Sequence, residues 1–125
     1  MSARTSRQAA ERRGRWAEQL CVIRLRLSGW RILARRYAGL RGTRIGEIDL
    51  VARRGKTVAF IEVKARAQAD QAVFAVTKNQ QHRIEQAATL FLARHPGLGD
   101  CTARFDVMIL GSGLWPRHLV DAWRP

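Results

Sequence analysis

The chain has 125 residues, a length that suits one domain with a single core. Its 23 Lys and Arg residues against 10 Asp and Glu give a formal net charge of +13 at pH 7, which makes polyanions its natural partners. No run approaches the roughly 18 apolar residues of a transmembrane helix, and the basic N-terminus lacks the apolar stretch of a signal peptide, so a cytoplasmic protein is predicted. An anionic membrane surface is the weaker alternative partner.

The first predicted element is a helix over residues 8–28, behind a disordered basic arm at 1–7, so that 8–125 form one domain. Gly29 follows as its stop. Apolar residues recur at helical spacing and predict the buried face of this helix: Trp16, Leu20, Ile23 and Leu27.

Short apolar runs between turn residues predict strands over 30–37, 45–53, 57–65 and 102–110. Arg54-Gly55 is the predicted hairpin tip, and 39–44 and 66–76 are a turn and a polar loop. A second helix is predicted from Thr77 to Arg94, with Gln80 completing a capping box. Residues 117–123 form either a strand or a short helix. This element order predicts an α/β sandwich on a mixed sheet.

The candidate site lies on the hairpin, where Asp49, Glu62 and Lys64 stand among apolar residues. Side chains two apart on a strand share a face, so Glu62 and Lys64 project together. Charges in buried strands are costly unless they are paired or bind a metal. The alternative is a salt-bridged strand face without chemistry.

The register of the hairpin decides whether the two carboxylates meet. A loop at Arg54-Gly55 makes paired numbers sum to 109, so that Asp49 faces Phe60 and Glu62 faces Glu47. Asp49 and Glu62 are then diagonal neighbours on one face. The hypothesis requires even-numbered residues of 57–65 to stand opposite odd-numbered residues of 45–53, since a slip by one would separate the carboxylates.

Two carboxylates on one face suit Mg²⁺ or Mn²⁺, which would activate water against a phosphate. Lys64 would stabilise the developing negative charge. Arg66 continues the same face towards a neighbouring phosphate, and Glu47 is a candidate second ligand.

The segments 46–49 (GEID) and 60–66 (FIEVKAR) resemble the YraN-like family of small uncharacterised bacterial proteins. That family is similar to archaeal Holliday-junction resolvases and to restriction endonucleases of the PD-(D/E)xK type. The likeness extends over most of the chain, through 14–21 (GRWAEQLC), 29–33 (GWRIL), 80–88 (QQHRIEQAA) and 104–107 (RFDV).

The resemblance implies a restriction-endonuclease-like sandwich, with a mixed sheet flanked by two main helices. It implies that Asp49 and Glu62 bind metal, that Lys64 is catalytic, and that Glu18 approaches the site from the first helix. A solvated Glu18 facing nearby arginines is the alternative. Gln80 stands where the family usually has a lysine, which bears on the substrate-contacting side.

Candidate nucleic-acid contacts are the N-terminal arginines and polar residues flanking the site: Arg12, Arg13, Arg15, Arg66, Gln80 and Arg83. Trp16 and Trp30 are predicted to be core residues, and Asp106 is predicted to pair structurally with an arginine. Cys21 and Cys101 form no CxxC pair, so a zinc site is not predicted.

The leading expectation is a Mg²⁺- or Mn²⁺-dependent endonuclease acting on DNA, selective for branched structures as resolvases are. A homodimer would fit the cutting of both strands of a junction. The alternatives are a non-catalytic nucleic-acid-binding module that keeps the fold, and an adaptor that docks on a DNA-processing protein or ribosome.

Overall fold

The computed structural model of the protein describes residues 3–39, 47–65, 76–111 and 115–125, with side chains from Gly14 onward. The elements in chain order are α1 (Ala3–Leu27), β1 (Arg31–Ala38), β2 (Glu47–Arg54), β3 (Thr57–Ala65), α2 (Lys78–Ala93), a 3₁₀ turn (Pro96–Leu98), β4 (Thr102–Leu110) and β5 (Arg117–Trp123). The undecided tail is therefore a strand. The turn at 39–44 and the loop at 66–76 lie largely outside the described residues.

The five strands form one mixed sheet in the order β1-β2-β3-β4-β5. Only the central pair β3–β4 is parallel, and the other neighbours are antiparallel. A parallel pair needs a crossover connection, which here contains α2. The predicted α/β fold is confirmed, and the arrangement is consistent with a restriction-endonuclease-like sandwich.

The two helices cover opposite faces of the sheet, and β3 contributes to both cores by alternation. Val58 and Phe60 pack with the α2 residues, whereas Ala59 and Ile61 pack with the α1 residues. By the same alternation, Glu62 and Lys64 project on the α2 side.

The face of α1 that packs on the sheet differs from the predicted one. Its buried apolar residues are Ala17, Cys21, Val22 and Leu25. Trp16, predicted to be core, is 58% exposed, and Leu27 is 75% exposed. The helix carries two apolar stripes, and the one with small residues lies against the sheet, which lets the backbone approach closely.

α1 also begins earlier than predicted. It starts at Ala3, so residues 3–7 belong to the helix and not to a disordered arm. No proline or glycine interrupts this segment, and its alanine and two arginines are good helix formers, so the helix can extend through the weaker Thr5 and Ser6. In the part of the chain that the structure describes, no helix has the length and apolar character needed to cross a membrane.

The end of α1 is fixed by Gly29 and Trp30. Gly29 has a φ of 87°, and the Trp30 amide donates to the carbonyl of Leu25 at 2.9 Å, as in a Schellman cap. Trp30 is 4% exposed, as predicted, and the guanidinium groups of Arg54 and Arg104 lie 4.6 and 5.3 Å from its ring centre.

The contrast between the two tryptophans gives a test of the packing. Trp30→Ala should lower the free energy of unfolding by about 3–5 kcal/mol, because it leaves a cavity under α1. Trp16→Ala should change it by less than about 0.5 kcal/mol. Urea unfolding of both variants measures this, and equal losses would show that Trp16 is packed in the folded protein.

Candidate active site

The hairpin register brings the two carboxylates closer than predicted. Leu50 faces Ile61 and Arg54 faces Thr57, so paired numbers sum to 111 and not 109. Continued by one step, this register sets Asp49 level with Glu62, and Phe60 faces Val51 instead. The required parity is confirmed, because the sum of 111 is odd, as 109 is, and odd-numbered residues of β2 still stand opposite even-numbered residues of β3. Glu47 is consequently not opposite Glu62.

The register error arises from the position of the loop. The strands end at Arg54 and resume at Thr57, so the loop is Gly55-Lys56. Gly55 has a φ of 60°. A two-residue hairpin loop favours a positive φ at its first position, which glycine adopts without strain and arginine does not.

β2 leaves β3 at the candidate site. Their pairing ends at Leu50 and Ile61, whereas β3 continues along β4 to Ala65. Beyond that point the Val63 amide donates to Asp49 Oδ2 at 2.8 Å, so a side chain takes the place of a ladder acceptor. Ile48 packs with the α2 core and Leu50 with the α1 core, although they are two residues apart, so β2 turns at Asp49. The opened edge leaves room beside the carboxylates.

Asp49, Glu62 and Lys64 form a continuous chain of polar contacts. The carboxyl groups of Asp49 and Glu62 lie close enough for each to affect the pKa of the other. Lys64 Nζ lies 3.5 Å from Glu62 Oε1, and the side chains of Lys64 and Glu62 are 9% and 17% exposed. The trio predicted from the sequence is therefore brought together.

The pKa values of the two carboxyls in this trio show that burial disfavours two ionised carboxylates side by side. Burial, followed by the charge of Asp49, raises the pKa of Glu62 from 4.5 to about 7, although Lys64 opposes the shift. Burial also raises the pKa of Asp49, against the hydrogen bonds from Val63 and Glu62. The two carboxyls therefore retain one proton between them to a higher pH than free carboxyls do.

The donor set fits a hard divalent cation, since a cation would relieve the same repulsion that retains the proton. Within the described ranges, no three His, Cys, Asp or Glu side chains converge to hold an ion. Mg²⁺ usually takes one or two protein carboxylates and fills its remaining positions with water and phosphate oxygens. Asp49 and Glu62 are the residues that would hold it.

Glu18 points inward from α1 but is occupied by two arginines. Arg35 Nε donates to Oε1 at 3.1 Å and Arg36 Nε donates to Oε2 at 3.0 Å. The Glu18 side chain is 8% exposed, so it is buried and not solvated, and it faces arginines as the alternative expected. Arg36 has a φ of 52°, a left-handed conformation that costs an arginine on the order of 1–3 kcal/mol.

Two clefts flank the point where β2 leaves β3. One, of about 360 Å³, lies on the α1 side and is lined by Arg15, Glu18, Arg36 and Asp49. The other, of about 170 Å³, lies on the α2 side and is lined by Glu62, Gln80 and Arg83. Glu47 lines both, so the Asp49–Glu62 contact lies at the boundary between them.

The predicted nucleic-acid contacts therefore fall into two groups. Arg15 lines the α1-side cleft, and Gln80 and Arg83 line the α2-side cleft. Gln80 also completes the predicted capping box, because its Oε1 accepts from the Thr77 amide at 3.1 Å. The side chains of Arg12 and Arg13, and all of Arg66, lie outside the described residues.

Sequence reasoning missed Arg35 and Arg36. Successive strand residues are expected to point to opposite faces, which argues against both reaching one carboxylate. The left-handed conformation of Arg36 removes that restriction, and nothing in the residue type signals it.

Asp106 has the structural role predicted for it. It is fully buried and accepts from Arg104 at 2.9 and 2.8 Å and from the Asp121 amide at 2.9 Å, while His118 Nε2 lies 2.7 Å away. Burial alone would raise its pKa, but the hydrogen bonds from His118 and Arg104 hold that pKa below the usual value. Both cysteines are free.

Comparison with known proteins gives consistent matches. The model of the uncharacterised protein family UPF0102 matches residues 17–110, which include Glu18, Asp49, Glu62 and Lys64. A UPF0102 protein of Paramagnetospirillum magneticum is 53% identical over 117 residues, covering 94% of this chain and 91% of its own length. Others from Parvibaculum lavamentivorans and Rhizobium meliloti are 50% and 44% identical, covering 94% and 95% of this chain and 85% and 94% of their own lengths.

The raised pKa of Glu62 predicts how stability depends on pH in the metal-free protein. Because the folded state binds the proton more tightly than the unfolded chain, the free energy of unfolding should fall as pH rises from 4.5 to about 7. Glu62→Gln removes this loss, so at pH 8 it should be more stable than the wild type by about 1–3 kcal/mol. The gain should shrink towards pH 4.5.

Urea unfolding in a chelating buffer at several pH values measures this difference. Asp100→Asn, at an exposed position, serves as the control and should follow the wild type. A Glu62→Gln curve parallel to the wild type across the range would contradict the shared proton.

Proposed function

The chain belongs to the uncharacterised protein family UPF0102, as its YraN-like motifs predict, and we propose that it is a metal-dependent DNA endonuclease with its site at Asp49, Glu62 and Lys64. The observation that carries the proposal is the group formed where β2 leaves β3, in which the Val63 amide fixes Asp49 at 2.8 Å and the buried Lys64 lies 3.5 Å from the neighbouring Glu62. A half-buried carboxyl pair that retains a proton is a costly arrangement, and binding a cation there would remove the cost.

The residues of the trio take separate roles. Asp49 and Glu62 would hold Mg²⁺ or Mn²⁺, which when bound supplies an activated water and polarises the scissile phosphate. Lys64 places an ammonium group beside Glu62, where it can stabilise negative charge on the phosphate oxygens or orient the attacking water. The Val63 amide fixes Asp49, so the ligand is oriented before any cation binds.

The charge of the chain favours nucleic acid as the substrate. A net charge of +13 attracts a polyanion, and the clefts beside the carboxylates carry Arg15 and Arg36 on one side and Arg83 on the other. Basic residues on both sides let a strand continue past the site in either direction. The resemblance to junction resolvases makes branched DNA the first substrate class, and a homodimer would then supply the second cut.

A metal titration tests the proposal directly. Isothermal titration with Mn²⁺ should show binding to the wild type and to Asp100→Asn, and none to the Asp49→Asn, Glu62→Gln double variant. Because metal binding removes the shared proton, the apparent affinity should rise between pH 6 and pH 8. If the free protein binds no Mn²⁺, the titration is repeated with a short junction present, since a substrate phosphate can complete the coordination. Failure of that repeat would reject the metal site.

Cleavage of branched, flapped and single-stranded DNA tests the activity. With Mg²⁺ or Mn²⁺, Lys64→Met should lower the cleavage rate by about 10²–10³-fold and keep Mn²⁺ binding, because it removes charge stabilisation and no ligand. If the wild type cuts no substrate, and its DNA binding is insensitive to chelator and to Asp49→Asn, the protein is the non-catalytic binding module instead.

A further inference from the structure

Two consecutive residues of β1 bind the same carboxylate. Arg35 and Arg36 donate through Nε to the two oxygens of Glu18, at 3.1 and 3.0 Å. In a regular strand they would point to opposite faces of the sheet. The φ of 52° at Arg36 turns its side chain to the face of Arg35, so the backbone is strained in order to bring the second guanidinium there.

Packing does not account for this strain. The side chains of Arg35 and Arg36 are 45% and 48% exposed, so neither covers much of the core. Glu18 is already paired by Arg35, and one arginine is enough to neutralise one carboxylate. The second arginine therefore calls for an explanation from what it faces.

Arg36 faces the candidate active site and Arg35 does not. Arg36 lines the α1-side cleft together with Asp49 and Arg15, whereas Arg35 is not among the lining residues. Glu47 and Asp49 also act electrostatically on Arg36. Its guanidinium thus supplies positive charge on the side of Asp49 opposite Lys64.

The hydrogen bond between Glu18 and Arg36 involves only the Nε end of the guanidinium group. Glu18 Oε2 accepts from Nε at 3.0 Å, and this hydrogen bond does not involve Nη1 or Nη2 of Arg36. These two nitrogens form the planar fork that binds two oxygens of one phosphate. Because the buried Glu18 carboxylate binds Nε, it limits the rotamers of Arg36. The two terminal nitrogens of the guanidinium are thereby held in one orientation.

We propose that Arg36 binds a backbone phosphate of the nucleic acid beside the Asp49–Glu62 pair, and that Glu18 is its positioning residue and not a metal ligand. The inference rests on the proposed function for the identity of the substrate. It assigns to the α1-side cleft the phosphate next to the scissile one, with the two carboxylates and Lys64 left for the reaction.

Arg35 provides a matched control within the same cluster. Arg36→Gln and Arg35→Gln each remove one positive charge and one hydrogen bond to Glu18, and only the first removes a cleft residue. Binding of a short fluorescein-labelled duplex and of a four-way junction is measured by anisotropy over a range of salt concentrations, in chelating buffer so that no cleavage occurs.

The expected result separates the two variants. Arg36→Gln should weaken binding about 5–10-fold and reduce the slope of log K against log salt by about 0.7–0.9, the value for one lost phosphate contact. Arg35→Gln should weaken it less than about twofold with no change of slope, since it loses long-range charge alone. Arg36→Asn, which tolerates the left-handed conformation, should repeat the Arg36→Gln result and keep the thermal unfolding midpoint of the wild type.

Glu18 is tested through its coupling to Arg36. Glu18→Gln should lower the salt slope as Arg36→Gln does, and the double variant should lower it no further, because both changes remove the same contact. Additive losses would reject the positioning role. Mn²⁺ titration of Glu18→Gln should match the wild type, and loss of Mn²⁺ binding would make Glu18 a ligand and overturn the assignment.

These outcomes separate this inference from the proposed function. If Arg36→Gln and Arg35→Gln weaken binding equally while the wild type still cleaves DNA, the phosphate assignment fails and the nuclease stands. If the wild type neither cleaves nor binds Mn²⁺, yet Arg36→Gln alone lowers the slope, the nuclease fails and the phosphate site stands. A wild type that binds neither duplex nor junction overturns both.

Discussion

The site depends on one hydrogen bond, from the Val63 amide to Asp49 Oδ2 at 2.8 Å. In a regular antiparallel ladder this amide would bond to a β2 carbonyl. Because a side chain satisfies it instead, β2 can turn away from β3 without leaving a buried donor unpaired. The same contact fixes the carboxylate of Asp49 against Glu62, so the opening of the sheet and the orientation of the acidic pair have one cause.

Four carboxylates of the described residues, of which Asp106 and Glu18 are buried and Asp49 and Glu62 are half-buried, differ in how their charge is compensated. Asp106 takes an arginine fork, a backbone amide and a histidine, and its pKa is lowered. Glu18 takes two arginines. Asp49 and Glu62 interact mainly with each other, and the pKa values of both carboxyl groups are raised. Of these carboxylates, Asp49 and Glu62 are therefore the ones least compensated by positive charge.

Local sequence signals predicted most of the fold because they report local physics. The bounds of β3 and β4 match the predicted 57–65 and 102–110, and the Thr77–Gln80 capping box begins α2 where expected. The parity of the hairpin, which sets odd-numbered residues of β2 opposite even-numbered residues of β3, followed from the sequence and survives any shift of two in the paired sum. The register of the hairpin could not be predicted in this way, because it depends on whether the loop starts at Arg54 or Gly55. The left-handed conformation of Arg36 could not be predicted either, because it is imposed by a contact with α1 and not by the neighbours of Arg36 in sequence.

The face of α1 that packs on the sheet also differs from the predicted one, and this packing explains how the candidate site is assembled. Hydrophobicity favours the stripe through Trp16 and Leu27, but the helix packs through Ala17 and Cys21. Small residues bring the helix axis closer to the sheet, and at this distance the charges of Asp49 and Glu18 help burial raise the pKa of the Cys21 thiol to about 12. Glu18 follows Ala17 directly, so the close approach carries its carboxylate to Arg35 and Arg36 beside Asp49. A helix packed through Trp16 would stand further off and turn Glu18 away, because the two stripes lie on nearly opposite sides of α1. The packing of α1 through Ala17 and Cys21, which the hydrophobic pattern does not predict, is therefore the packing that brings Glu18 beside Asp49.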